Sequence, residues 1–310
     1  MRLIRNGIKM KQLFNLRGYG LALILPLLAS GWALGQKTSP TCSRCAVWNT
    51  PQPPFRIYGN TYYVGPHGLS SILIVSDGGL VLVDGTLPES VPQIVANIRS
   101  LGLRIEDVKL IVNSHVHFDH AGGIAELQRL SGATVLASRW SAAVMREGGV
   151  ARDDPQFGEI LPIAKVAKVR ELSDGEAFHL GGLTITAHLS PGHTPGGTSW
   201  TWQSCEESRC LNVVYADSLS PVATESFKFT RNDRYPGAIA DFERSIAFLN
   251  ATPCDLLLTP HPDASDLWER LDGRRKGLSP YPMIDPAACK ELAERSQKTL
   301  QARIAAETGK

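Results

Sequence analysis

Three histidines and an aspartate fall within six residues: His115, His117, Asp119 and His120, in the run Asn113-Ser-His-Val-His-Phe-Asp-His-Ala-Gly-Gly123. Imidazole nitrogen and carboxylate oxygen are the ligand atoms a zinc ion takes. His115 and His117 alternate with Val116, so an extended backbone turns both rings to one side. Asp119 and His120 follow where the chain must turn, and they can face a second position nearby. Four ligands this close cannot serve one tetrahedral ion without strain. They can begin two adjacent sites if distant residues complete each. The alternative is a histidine-rich surface loop, and the place of the cluster in the chain speaks against it.

That place is a strand-to-helix loop. The apolar run Val108 to Val112 reads as a buried strand, and the Gly122-Gly123 pair precedes a helical pattern over Ile124 to Leu130. Such loops are where an α/β sheet usually carries its site. Two later loops have the same build. Ser190-Pro-Gly-His193-Thr-Pro-Gly-Gly197 follows one strand, and Thr259-Pro-His261-Pro262 follows another. Proline and glycine fix tight turns that present His193 and His261. With these two the set has six ligands, which divide into three and three. His67, His179 and His188 lack such a setting; His179 and His188, in or beside strands, read as structural.

The elements that must position these loops alternate in type. Residues 56–64 read as two short strands around Gly59-Asn60. Strands follow at 69–75 and 80–83, and Asp84 ends the second. Residues 88–101 read as a helix with Val91, Ile94, Val95 and Ile98 on one face. Beyond the cluster come a strand at 134–137 and a helix near 142–146. Residues 148–168 form a long loop able to border a site. Further strands are expected near 169–172, 177–179, 183–189, 198–202, 211–215 and 256–258, with helices over 239–249 and 291–306. Strand-rich halves, each closed by helices, imply an α/β fold in the form of a four-layer αβ/βα sandwich.

This arrangement resembles the metallo-β-lactamase superfamily over residues 55–290, and within it subclass B3. The residues carrying the likeness are the 113–123 run, Ser190 to Trp200, Ala216-Asp-Ser-Leu-Ser220, Thr259 to Pro262, and the placement of Cys254 and Cys289. The resemblance implies that His115, His117 and His193 hold one zinc, and that Asp119, His120 and His261 hold a second. It implies Ser218 and Ser220 as hydrogen-bond donors to the substrate carboxylate; Gln156 and Phe157, by their place on the long loop, are expected to shape the lip of the site. Asp84 would buttress the ligand loops from behind. Subclass B1 carries a cysteine in the second site, and Ser218 stands at that place here. Some relatives tie their N-terminal segment to the loop occupied by Pro66-His67-Gly68, a bridge His67 cannot make, so the partners of Cys42 and Cys45 stay open.

The N-terminus differs from the rest. Arg2, Arg5, Lys9, Lys11 and Arg17 come without an acid, an apolar run spans Leu21 to Leu34, and small residues close it. Residues 1–35 therefore read as a secretory signal peptide, with Met1 or Met10 as start and a retained anchor as the alternative. Residues 36–54 read as an irregular lead-in, and 55–310 as the domain. Removing the signal takes away five positive charges and no negative ones, so the formal charge moves from +2 to −3. A mildly acidic chain has no electrostatic reason to seek nucleic acid. No later stretch is apolar enough to cross a bilayer. Six cysteines in an exported chain suggest disulfides, with Cys205–Cys210 and Cys254–Cys289 as the local options.

The expectation is a monomeric periplasmic enzyme holding two zinc ions and hydrolysing the ring amide of penicillins, cephalosporins and carbapenems. A metal-activated hydroxide would attack, with Asp119 orienting it and no serine nucleophile. The rivals are a glyoxalase II-like thioesterase or lactonase, which would gain if Asp217 rather than Ser218 faced the metals, and a non-catalytic periplasmic zinc-binding protein.

Overall fold

Alternating burial along the strands divides this protein into layers. A computed structural model describes residues 41–277 and 281–309, so the expected signal peptide lies outside the described residues. In β4 (Gly79–Val83), Val81 and Val83 point one way and Leu80 and Leu82 the other. The first pair meets a second sheet; the second pair meets helices. β4 is central in a seven-stranded sheet ordered β1 (Phe55–Tyr58), β2 (Thr61–Tyr63), β3 (Ile72–Ser76), β4, β5 (Val108–Val112), β6 (Thr134–Ser138) and β7 (Val169–Leu172). The first four pair antiparallel, and β4 to β7 run parallel. The second sheet has five strands in the order β12 (Leu256–Leu258), β11 (Arg209–Tyr215), β10 (Thr198–Glu206), β9 (Leu183–Leu189) and β8 (Ala177–Leu180).

Between the sheets lies a core of Ile72, Ile74, Val81, Val83, Val112, Ile185, Trp200 and Val213, among others. Outside the first sheet pack α2 (Val91–Ser100), α4 (Ile124–Ser131) and α5 (Arg139–Glu147), through Ile94, Ile98, Leu127 and Met145. Outside the second sheet pack α6 (Ala238–Ala251) and α8 (Ala288–Thr308), with Phe242, Ile246 and Leu300 against Val214 and Leu257. The result is the four-layer αβ/βα sandwich. No described helix is long and apolar enough to cross a membrane.

Three short elements differ from the sequence reading. α1 (Cys45–Trp48) interrupts the stretch read as irregular, α3 (Phe118–Ala121) makes a single turn inside the metal cluster, and α7 (Leu267–Arg275) follows His261. Contacts gather the described residues into one compact unit, so the lead-in from 41 onward belongs with the domain. All six cysteines are paired: Cys205–Cys210 across the β10–β11 hairpin, Cys254–Cys289 from the approach to β12 onto α8, and Cys42 with Cys45. His67 instead stacks on Trp268, ring centres 4.1 Å apart.

Candidate metal centre

The loops that leave the C-terminal ends of β4, β5, β9, β11 and β12 converge, and specific bonds lock them. Asp84, just past β4, adopts a left-handed conformation with φ 58°. Its Oδ1 accepts from Ser114 N at 2.7 Å and Asn113 Nδ2 at 3.0 Å. Its Oδ2 accepts from Ser114 Oγ at 2.7 Å and Tyr215 Oη at 2.8 Å. Burial raises this carboxyl to about 7, against the pull of the Ser114 and Tyr215 bonds. Asp84 thus fixes the backbone ahead of His115 without facing the ligand atoms. Thr198 N donates to Ser114 O at 2.8 Å, and Trp200 Nε1 donates to Asn113 O at 3.0 Å, which ties the loop to β10.

The loop bearing His193 is set by α6. Gly192 has φ 142°, and a Cβ there would come within 2.7 Å of the Phe242 ring. Ser245 Oγ donates to Pro191 O at 2.7 Å. The loop bearing His261 is held by Ser70 N, which donates to Pro260 O at 2.8 Å.

These constraints bring the six candidate ligands into two groups, His115 with His117 and His193, and Asp119 with His120 and His261. In each, one ligand atom per residue lies within 4.8 Å of the others. Asp119 Oδ2 is 3.4 Å from His120 Nε2 and 3.3 Å from His261 Nε2. A tetrahedral zinc site with its usual N and O bond lengths has edges of about 3.3–3.4 Å, so the donor set fits that ion. The groups adjoin, with the His115 and His120 ring centres 4.5 Å apart.

In the first group, each imidazole has a fixed partner for its other nitrogen. His115 Nδ1 donates to Asp217 Oδ1 at 2.7 Å, His117 Nε2 to Asp154 Oδ2 at 2.9 Å, and His193 Nδ1 to Ser220 O at 2.8 Å. That leaves Nε2, Nδ1 and Nε2 respectively with a lone pair for a cation. His115 Nε2 is buried with no hydrogen-bond partner among the described residues, an atom a metal would satisfy.

Protonation tendencies fit the same use. Burial, then His117 and His193, holds His115 well below the ordinary imidazole value; burial and His117 hold His193 down. Burial also keeps His120 well below, against Asp119. Burial pushes the Asp119 carboxyl up, but His120 and His261 outweigh it and hold the group well below its usual range. Neutral imidazole and ionised carboxylate are the ligating forms. His117 goes the other way, because the Asp154 carboxylate outweighs its burial.

The groups open into a cleft of about 370 Å³, and Ser218, Ser220 and Gln156 line it. Phe157 does not; Ile160 and Val222 provide the apolar wall. Asp217 lies behind His115 and outside both groups, while Ser218 faces the cleft. Sequence reasoning missed Asp154, which no spacing ties to His117. It also missed the wall formed by Thr41 to Arg44 and Trp48, whose one signal was a tryptophan in a polar stretch. A larger open groove, about 800 Å³, lies along β9 to β11, and none of the six candidate ligands lines it.

Comparison with known proteins gives the same family from sequence and from structure. Residues 64–206 match the profile of the metallo-β-lactamase superfamily. The structure of Rm3 metallo-β-lactamase is similar at 50% identity and a TM-score of 0.84, over 87% of this chain and 100% of that one. MEM-A1, a subclass B3 metallo-β-lactamase from a soil metagenome library, is similar at 51% identity and a TM-score of 0.82, over 84% and 99%. A hydroxyacylglutathione hydrolase of Anaeromyxobacter dehalogenans is 29% identical over 48% of this chain and 45% of its own length. The chain covers less than two thirds of the length of the curated relatives it matches.

Proposed function

The chain belongs to the metallo-β-lactamase superfamily, within subclass B3, and from that membership we propose that it hydrolyses the ring amide of β-lactams, carbapenems included, with two zinc ions per chain. The observation that carries this reading is the pair of adjoining ligand groups in a cleft lined by Ser218 and Ser220, with Asp217 turned behind His115. A thioesterase or lactonase of this fold would use an aspartate from that position between the metals. Its support here is partial sequence likeness to a hydroxyacylglutathione hydrolase.

His115, His117 and His193 would hold the first ion, and Asp119, His120 and His261 the second. When bound, such a pair supplies a water acidified toward neutrality and positive charge for the carbonyl oxygen and the leaving nitrogen. The protein does the rest. Asp217, Asp154 and the Ser220 carbonyl fix which nitrogen each imidazole offers. Asp119, ionised, accepts a hydrogen bond from the attacking water and orients it. Ser218 and Ser220 donate to the carboxylate beside the ring and hold the scissile amide over the ligand groups. Burial keeps competing protons off His115, His120 and His193. The enzyme acts as a monomer in the periplasm, delivered by the signal peptide at residues 1–35.

The test is turnover of nitrocefin and imipenem by the purified mature protein, with zinc counted by mass spectrometry or atomic emission. Two zinc ions per chain and hydrolysis lost in EDTA and regained with zinc are expected. A fully loaded sample that leaves both compounds intact overturns the reading, and faster cleavage of a glutathione thioester or an acyl homoserine lactone would replace it.

A further inference from the structure

One wall of the cleft is built ahead of the first strand. The Cys42–Cys45 disulfide closes a small hook around Ser43 and Arg44. Trp48 N donates to Arg44 O at 2.9 Å, so the hook continues into α1. The segment is clamped from behind. Gly68 N donates to Trp48 O at 3.0 Å, His67 N donates to Thr50 O at 2.8 Å, and a Cβ on Gly68 would come within 2.6 Å of Trp48 Cα. The Trp48 ring centre lies 5.3 Å from that of His261, and the Arg44 guanidinium carbon lies 5.2 Å from the same indole. The indole therefore adjoins both a candidate ligand and a cation.

Among the described residues lining the cleft, Arg44 is the one arginine or lysine and Asp119 the one carboxylate. Asp119 is committed to His120 and His261. Arg44 has the face of Trp48 as its neighbour and no carboxylate partner among the described residues. A guanidinium stacked on an aromatic face keeps its hydrogen-bonding fork free and loses little freedom when it pairs with an anion. Through Trp48 it sits on the His261 side of the cleft, and on the lactamase reading the ion held by Asp119, His120 and His261 would be the one that meets the leaving nitrogen. The fused ring of a β-lactam hangs from that nitrogen.

Resting on the lactamase reading, we propose that Arg44 and Trp48 form a rim subsite for a planar, anionic substituent on the fused ring, and so select among cephalosporins by the group at C3′. The indole stacks on the substituent and the guanidinium pairs with its negative charge. The ring carboxylate stays with Ser218 and Ser220. The hook presents Arg44 without help from a bridge to residue 67.

Cefotaxime and ceftriaxone share one acyl side chain and differ at C3′, an uncharged acetoxy group in the first and an acidic triazine in the second. With the zinc-loaded protein, Arg44→Gln should raise KM for ceftriaxone about 3- to 10-fold, the range of a rim charge pair. For cefotaxime, KM should move less than about twofold, and kcat should hold for both. The wild-type preference should fade as salt rises from about 20 to about 500 mM, and the variant should show no such slope. Arg44→Lys should retain part of the preference, and the double change Cys42→Ser/Cys45→Ser should lose part of it. Calorimetric binding of hydrolysed ceftriaxone should weaken in step with KM. Equal shifts on both substrates, or none, overturn the subsite while leaving the lactamase reading intact. If loaded wild-type protein cleaves neither cephalosporin, that reading falls and the subsite falls with it.

Discussion

Asp154 reaches across 37 residues of sequence to accept a hydrogen bond from His117 Nε2. That bond decides which nitrogen of the ring is offered to a cation, and it makes the ring a better donor. Asp154→Asn should therefore weaken zinc binding at the first group about 10- to 100-fold, measured by competition with a chromogenic chelator. Asp153→Asn, at the neighbour that accepts from Trp140 Nε1, should leave zinc affinity where it was. Equal affinity in wild type and Asp154→Asn would mean that His117 is oriented by something else. The six candidate ligands were legible because ligand types recur at short spacing or sit in Pro-Gly loops. Asp154 and Asp217 were not, because a carboxylate that meets a ring 37 or 102 residues away leaves no local pattern. Ser218 and Ser220 entered through resemblance, since nothing in their own sequence separates them from ordinary loop serines.

At the scale of elements, strands and amphipathic helices were legible for the reason they form: one face of each is buried. Leu80, Val81, Leu82 and Val83 are buried on two faces, which gives the unbroken apolar run that a central strand shows. α7 escaped notice because its core contacts, Leu267, Trp268 and Leu271, fall among charged residues and Gly273. α3 escaped because one turn is too short for any period. The loops depend on particular close approaches. Gly192 combines φ 142° with the Phe242 ring at 2.7 Å from any added Cβ, so α6 and the His193 loop meet with no spare space. Gly192→Ala should cost about 1–3 kcal/mol, the usual range for overpacking a filled site. It should also lower zinc occupancy of the first group more than that of the second. Thermal melting of the metal-free protein separates the two effects. A melt unchanged from wild type would show that the loop tolerates the methyl group and that α6 does not set it.

At the scale of the whole molecule, the two sheets share one core and each carries helices on its outer face, so the site sits where both sheets end. The outer layer on the second sheet is bound to it by packing of α6 and α8 and by one covalent link. Cys254 lies just ahead of β12 and Cys289 at the start of α8, 35 residues on. A link of that span restricts the unfolded chain by about 3–4 kcal/mol on the loop-entropy account. It also ties α8 to the strand whose end presents His261. The double change Cys254→Ser/Cys289→Ser should lower Tm by roughly 5–15 °C for a domain of this size. It should also loosen the second ligand group before the first, because the first is anchored through β5, β9 and β10 instead. Such a bridge persists only where thiols are oxidised, as the proposed export would require. Wild-type protein folded under reducing conditions, which also opens Cys42–Cys45 and Cys205–Cys210, should therefore melt at or below the double variant and gain the difference on oxidation. If the reduced and oxidised forms melt alike, packing of α8 alone holds that layer, and the export reading loses its structural argument.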